Sequence, residues 1–579
     1  MHRPNLSLIK EGRAFSLMKI KTATFVSIII MSVIAALGVN FCSNGYQSIS
    51  KFQLIVLSLF FVAIGLAIAK LISTRTGQTA SIDILDRLDS LFNTSLKKGA
   101  FLFVCWLPWT VLLYPGVMNW DTFYQLTQFC NCDYPVWLVP YAPTGSIVDA
   151  QFSDHHPIFD TVIFGCFAEL SNEITGNWNS GVFLYTLLQS AITAYAFGYA
   201  ISYIVAINVP KKYANLALLF LAVVPIYPVY AATMVKDSLF SCLYIFYFIF
   251  ILKLTQIEKT ATLDTKFFLK FLFICLLLSL TKKTGVYLVA GTSLLLIFFF
   301  RSYWKQLACS ALIPVLTTTV LLPCLIFPAA NIIPGGKQEA LSPLFQQTAR
   351  FALIHKGEIP DSEAFAIDRV LNYENLAERY DAQNADPVKF MWNYNCTTEE
   401  LADYMYVYFA EGIRDPLCYF EAWFATASGY LAPTSDGKIA IHTTTGSQEG
   451  ELSDKIFLPE NFEPIRYSLT LLYSEIKSIP GLDILFSLVL YCFWIPVASL
   501  LAFLKKNKEL IPLSIPTMLS LACCIITPVI HARYALPLIY TAPLLVALAA
   551  SPLKVSSHTH TKAINEHPIT DQQDSSSIN

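Results

Sequence analysis

Asp121 in NWDTFYQ and the run Asp154-His155-His156-Pro157 in SDHHP are the residues of this chain whose types and spacing best suit chemistry. Both lie in a stretch, Gly99 to Pro210, without Lys or Arg, and between Pro115 and Ser180 it carries seven carboxylates. Asp121, Asp154 and His156 together would offer hard oxygen and imidazole ligands to a divalent metal, Mg or Mn. Neighbouring histidines cannot point the same way on a regular element, so only one of His155 and His156 faces a common site. The spacing is not that of a structural zinc site. A competing reading is structural: Asp121 caps an amphipathic helix, and DHHP is a helix start with Asp as cap and Pro in the first turn. Cations stand apart from this stretch at the ends of apolar runs: Lys236 in TMVKDSLF, Lys282 and Lys283 in LTKKTG, and Arg533 in HARYALP. Each alone can snorkel to a headgroup. Three clusters on the face that bears the acidic stretch favour a shared anionic ligand, because ionisable groups near the bilayer mark sites by default. Arg grips two oxygens at once, which puts Arg533 first, then Lys283 and Lys236. Asp237 is expected to pair with Lys236, and Arg350 in QQTAR joins the site if its helix lies along the membrane.

The elements that must position these residues are membrane helices. With 55% hydrophobic and 14% charged residues, the 579-residue chain is too apolar for a soluble globule. A bilayer core of about 30 Å needs roughly 20 apolar residues per helix. Such runs occur at 22–42, 53–73, 99–114, 181–206, 214–233, 238–254, 266–280, 284–300, 306–327, 483–504, 511–530 and 533–550. The expectation is an all-α polytopic membrane protein of about twelve transmembrane helices. Short loops rich in Lys and Arg stay cytoplasmic, which places both termini inside the cell and segment 115–180 outside. The first span reads as a retained anchor, and the polar tail 552–579 as disordered and cytoplasmic.

The chain divides into two N-terminal spans and a cytoplasmic loop (1–98), a seven-helix module (99–327) with the outer loop 115–180, an extracytoplasmic domain (328–480), three C-terminal spans (481–551) and the tail. Within the first outer loop, DTFYQLTQF and HPIFDTVIFGCFAEL read as helices lying on the membrane surface. The second outer segment carries 22 Asp and Glu against 11 Lys and Arg. It reads as mainly helical near Leu341–Ala352, Ser362–Leu371 and Glu399–Arg414, and PTSDGKIAIHTTTGSQEGELSD reads as an exposed loop.

An Asp just after a helix, in an outer loop with two surface helices and a His-Pro pair at the second, resembles the GT-C superfamily of integral-membrane glycosyltransferases. The carrying motifs are YPGVMNWDTFYQ, SDHHPIFDT, TMVKDS, LSPLFQQTAR and HARYALP. Within that superfamily the chain is similar to a largely uncharacterised group of bacterial membrane proteins. The resemblance implies transfer of a sugar from a polyprenyl-phosphate donor to a cell-envelope acceptor at the outer face of the cell membrane. Asp121 would be the general base, with Asp154 and His156 beside it. Lys236, Lys282, Lys283, Arg533, Arg350 and His155 would hold the donor phosphate or substrate, and Asp121 is expected within about 10 Å of a cation, the reach of one small substrate.

A multi-pass transporter or lipid flippase is the alternative, since intramembrane charges also line transport paths; it predicts inverted repeats, and none is visible. A non-catalytic envelope scaffold is the third reading and leaves the outer cations without a purpose. Cys130, Cys132, Cys166, Cys396 and Cys418 fall in outer segments, where oxidation is open to them. No nucleotide fingerprint or nucleic-acid patch is present, PGGK at 334–337 being too short for a P-loop. Partners are thus a lipid-linked donor, an envelope acceptor and membrane lipids, with no nucleic acid.

Overall fold

The computed structural model describes residues 22–75, 91–133, 150–257, 262–441, 444–445 and 450–551. The expected cytoplasmic N-terminal segment, most of the loop before residue 91 and the tail from 552 lie outside the described residues. Helices α1 (Thr22–Ser43) and α2 (Lys51–Arg75) form a hairpin. They are followed by α3 (Ser95–Leu112), α4 (Trp120–Phe129), α5 (Ile158–Thr175), α6 (Trp178–Ala206), α7 (Lys211–Val223) and α8 (Lys236–Gln256). Next come α9 (Thr265–Thr281), α10 (Lys283–Phe299), α11 (Trp304–Leu316), α12 (Gln338–Ile354), α13 (Thr398–Arg414) and α14 (Pro416–Leu431). The C-terminal part holds α15 (Glu463–Ser478), α16 (Ile495–Lys506), α17 (Ser514–Ile525) and α18 (Leu536–Ala550).

The chain is all-α, and among the described residues six helical segments are long and apolar enough to cross a membrane: Thr24–Ser43, Trp178–Ala206, Lys236–Gln256, Arg301–Ala329, Lys508–Ile525 and Ala532–Ala550. This corrects the expected twelve. Pro225 and Pro228 split the apolar run 214–233 into α7 and a short helix, Ile226–Ala231, because proline cannot donate to the preceding turn. The run 483–504 spends its first part in tight and wide turns, leaving only Ile495–Lys506 as regular helix. Residues Lys51–Ala67 and Lys283–Phe299 are apolar but shorter.

One large core joins α3, α6, α8, α9 and α16 to α18 through Trp106, Phe197, Tyr227, Tyr244 and Tyr540. Apolar burial drives little helix association in lipid, so close backbone contact takes its place. A Cβ on Gly198 of α6 would fall 2.4 Å from the Gly99 nitrogen of α3, so only glycine permits that crossing. A second core, around Phe345, Leu371, Tyr404 and Tyr419, belongs to residues 341–419 alone. There the expected helices appear as α12, Asp361–Asp368 and α13, the last started by a capping box between Thr397 and Glu400.

Four two-residue strands do the positioning. β1 (Val117–Met118) pairs in parallel with β3 (Thr233–Met234), Met118 opposite Met234. This register brings Asp121, three residues after β1, beside Lys236, two residues after β3. β2 (Phe152–Ser153) pairs in parallel with β4 (Ile332–Ile333), and Asp154 N donates to Ile333 O at 2.7 Å. That pair lays the start of segment 328–480 against the Asp-His-His run.

Two expectations about the outer loops are corrected. Residues Asp121 to Gln128 of α4 are all buried, so this helix is packed inside the protein rather than resting on a surface. The segment read as an exposed loop instead folds back: Met118 N donates to Thr444 O at 2.8 Å, and Thr445 Oγ1 to Gly116 O at 2.8 Å. Leu452, near its end, and Ile456, just beyond, join the small core of Phe123, Leu126 and Phe164. Part of that segment, 442–443 and 446–449, lies outside the described residues.

Candidate functional site

Asp121 stands in the first turn of α4, but it is not the cap. Asn119 takes that role, its Oδ1 accepting from Thr122 N at 3.2 Å. Thr122 Oγ1 in turn donates to Met234 O at 2.5 Å, tying α4 to β3. Asp121 is thereby free to project its carboxylate across the helix ends of α8 and α18. Its Oδ2 receives Lys236 Nζ and Arg533 Nη1, each at 2.6 Å, and His156 Nδ1 lies 3.8 Å away. Burial works to raise the Asp121 pKa, but Arg533, Lys236 and His156 outweigh it and hold the carboxyl well below the usual range. The first-turn position also sets it at the positive end of the α4 dipole.

Lys236 Nζ also meets His156 Nδ1 at 2.8 Å. An ammonium can only donate, so Nδ1 accepts and the ring proton sits on Nε2. Burial, reinforced by Lys236, pushes the His156 pKa well below its ordinary value, so this imidazole is neutral. His155 turns the other way, toward Glu339 Oε1 of α12 at 3.9 Å, and burial lowers its pKa to about 4 despite that carboxylate. Glu339 is held by Lys389 Nζ at 3.1 Å.

Asp154 combines two roles. One oxygen accepts from Ile158 N at 3.2 Å, serving a free amide at the start of α5, and the other faces Lys283 Nζ at 3.5 Å. Burial raises its pKa, only partly countered by Lys283. Lys283 additionally donates to Asp154 O at 2.5 Å. Lys282 is not aimed at Asp121: its Nζ pairs with Asp237 Oδ1 at 2.6 Å and lies over the Tyr534 ring. Asp237 therefore pairs with Lys282, with Arg533 Nη1 3.6 Å from its other oxygen, and not with its sequence neighbour Lys236 as expected.

The geometry thus gathers Asp121, His156, Lys236 and Arg533 at one point, with Asp154, Lys283, His155, Asp237 and Lys282 around them. Arg350 is not there. It donates to Tyr46 O at 3.0 Å, to Gln47 O at 3.2 Å and to Glu421 Oε2 at 2.5 Å, fastening α12 and α14 to the turn of the α1–α2 hairpin. The Asp121, Asp154 and His156 set proposed for Mg or Mn does not converge either. Asp121 Oδ2 is occupied by two cations and His156 Nδ1 by Lys236, and among the described residues no group of three or more such side chains could hold an ion. All fourteen cysteines are unbridged.

Sequence reasoning missed Asp160. It is fully buried in the first turn of α5, and neither oxygen has a hydrogen-bond partner among the described residues. Burial, with Asp237 and Asp154 nearby, raises its pKa well above the ordinary value, against the pull of Lys236. An Asp inside the apolar run PIFDTVIFG was the available signal. Tyr534 was likewise missed; its hydroxyl accepts from Arg533 Nη2 at 3.1 Å and helps aim the guanidinium.

The arrangement can bind an anion by exchange: two cations share one carboxylate, and a phosphate arriving between them would compete for the same donors. No curated protein and no solved structure matches the chain. The DUF6020 family, a family of unknown function, matches residues 12–566, and the chain belongs to it.

Proposed function

We propose that the chain is a membrane glycosyltransferase of GT-C type, moving a sugar from a polyprenyl-phosphate donor to a cell-envelope acceptor at the outer face of the cell membrane. The observation that carries this reading is Asp121 Oδ2 held at 2.6 Å by both Lys236 and Arg533. Transfer with departure of a phosphate needs cations at the leaving oxygen and a base at the acceptor hydroxyl, and the cluster supplies both from one knot of charge.

In the absence of donor the carboxylate is the counterion of both cations and too acidic to act as a base. A donor phosphate that takes over Lys236 and Arg533 strips Asp121 of the partners that depress its pKa. The carboxylate then becomes more basic at the moment the donor is seated. The acceptor O–H proton passes to Asp121 as the sugar carbon, with oxocarbenium character, leaves the phosphate oxygen and bonds to the acceptor oxygen. Neutral His156 positions Lys236 through Nδ1 and keeps Nε2–H as a donor for substrate. Lys283, bound to Asp154, is a further cation beside the site.

Membranes containing the chain, given a labelled polyprenyl-phosphate sugar, are expected to transfer label, and Asp121→Asn to lower the rate by about 10²- to 10⁴-fold, the usual worth of general base catalysis. Equal transfer by the variant removes Asp121 as base. Absence of transfer by either protein, with several sugars tried, favours the transporter or flippase instead.

A further inference from the structure

At the far end of α4 from Asp121, Cys130 and Cys132 flank Asn131, whose φ of 49° puts it in the left-handed region. Asn tolerates that conformation better than most residues. The turn folds Cys132 back on Cys130, its thiol donating to Cys130 O at 3.7 Å. A third group reaches them from 323 residues further along the chain: Lys455 Nζ lies 3.3 Å from Cys132 Sγ. Lys455 belongs to the short helix Glu451–Lys455, which also binds α4's end through Asp133 N to Glu451 Oε2 at 3.1 Å. The ammonium is fixed from its other side by Glu451 at 3.1 Å and lies over the Trp178 ring.

We infer that Cys130, Cys132 and Lys455 form an oxidisable dithiol site, which reacts with small disulfides and closes a Cys130–Cys132 bridge. Cys132 is the nucleophile. Its thiol is lowered to about 7 by the Cys130 hydrogen bond first and by Lys455, while Cys130 is raised. The Cys132 thiolate attacks one sulfur of the oxidant R–S–S–R, forming a mixed disulfide and expelling one R–S⁻. Cys130 then loses its proton and attacks the Cys132 sulfur, expelling the second R–S⁻. Two protein thiols are oxidised, the oxidant is reduced to two R–SH, and both thiol protons end on them. A bridge across a single residue removes little chain entropy, so it reopens readily with a thiol reductant. Closure also takes away the thiolate that holds Lys455.

The test uses the full chain in detergent or lipid discs. Alkylation of Cys132 by iodoacetamide is followed by peptide mass across pH, and a separate, unalkylated sample is exposed to oxidised glutathione. The alkylation midpoint is expected near 7 and should move up by about one unit in Lys455→Met, while Lys455→Arg keeps it low. Oxidised glutathione should give a 130–132 peptide lighter by its two thiol hydrogens, and Cys130→Ser should instead hold a glutathione mixed disulfide at Cys132. A Cys132 midpoint at the ordinary value of about 8.5 in the unsubstituted chain overturns the proposal. So does a mixed disulfide that persists with Cys130 intact, since the bridge then does not form.

Discussion

Replacing Asp121 by Asn keeps the shape of the side chain and removes one charge, and the structure says what that leaves behind. Lys236 and Arg533 each lose a partner at 2.6 Å in a nearly closed environment. Asp237 remains 3.6 Å from Arg533, so the guanidinium keeps one carboxylate, whereas Lys236 keeps only the neutral His156. Removing one partner of a buried pair costs about 3–5 kcal/mol because the other charge stays uncompensated. The second substitution Lys236→Met removes that stranded charge. The double variant Asp121→Asn/Lys236→Met is therefore expected to recover about 1–3 kcal/mol relative to the sum of the single effects, the usual coupling for residues in one network. The assay is unfolding of the purified chain in detergent at neutral pH, as a four-point cycle. Neutral pH is the correct window: a carboxyl held low when folded contributes fully above its unfolded pKa of about 3.9, and that contribution is lost only as pH falls through the depressed value. Additive effects, or a stability of Asp121→Asn equal to that of the parent, would refute the charge knot. Because Lys236 also belongs to the proposed phosphate clamp, transfer by the double variant should stay at least as low as that of Asp121→Asn even where its stability recovers.

Asp160→Asn is expected to stabilise the chain at pH 7 to 8 and to do so less at pH 4. A carboxyl whose folded pKa is raised binds its proton more tightly folded than unfolded, so wild-type stability falls by about 1.4 kcal/mol per pH unit above the unfolded pKa, until the folded one is reached; a parallel pH dependence in both proteins would show that Asp160 is not a buried neutral acid. Arg350→Met should destabilise by about 3 kcal/mol, since it strands Glu421, while leaving donor affinity within twofold; a large affinity loss in a folded variant would return Arg350 to the site. Gly285→Ala would place a Cβ 2.1 Å from Leu278 O, forcing α10 away from α9, with a loss of about 1–3 kcal/mol. Because Lys282 and Lys283 sit at that junction, donor affinity should fall as well, and unchanged thermal unfolding of this variant would refute the close approach.

How far the site was legible follows from the chemistry of each residue. Asp121, His156, Lys236 and Arg533 could be read because an isolated charge in an apolar chain has few other uses. Their convergence was not readable, because it depends on the β1–β3 register and the start of α18, contacts spanning 115 and 412 residues. Asp237 was given the wrong partner because adjacent residues on a helix point apart, so it faces Lys282 rather than Lys236. Arg350 was misplaced because its acceptors are carbonyls of a turn more than 300 residues away, which no local pattern announces. Helix type was clear from apolar runs, but their number was not, since prolines and turns divide runs that composition alone would count as spans. The polar segment after Leu431 looked exposed by composition, yet its backbone pairs with Met118, and polar residues are buried wherever their hydrogen bonds are met.

The distance in sequence between Asp121 and Arg533 bears on when the protein becomes competent during synthesis. Asp121 emerges early and Lys236 soon after, but the guanidinium that joins Lys236 on Asp121 lies in the turn just before the C-terminal helix, 412 residues behind Asp121. A chain inserted only as far as α17 holds a carboxylate with a single cationic partner, which grips no phosphate from two sides. Under the proposed function, competence is therefore withheld until α18 is seated, and a stalled or truncated product is expected to be inert rather than partly active.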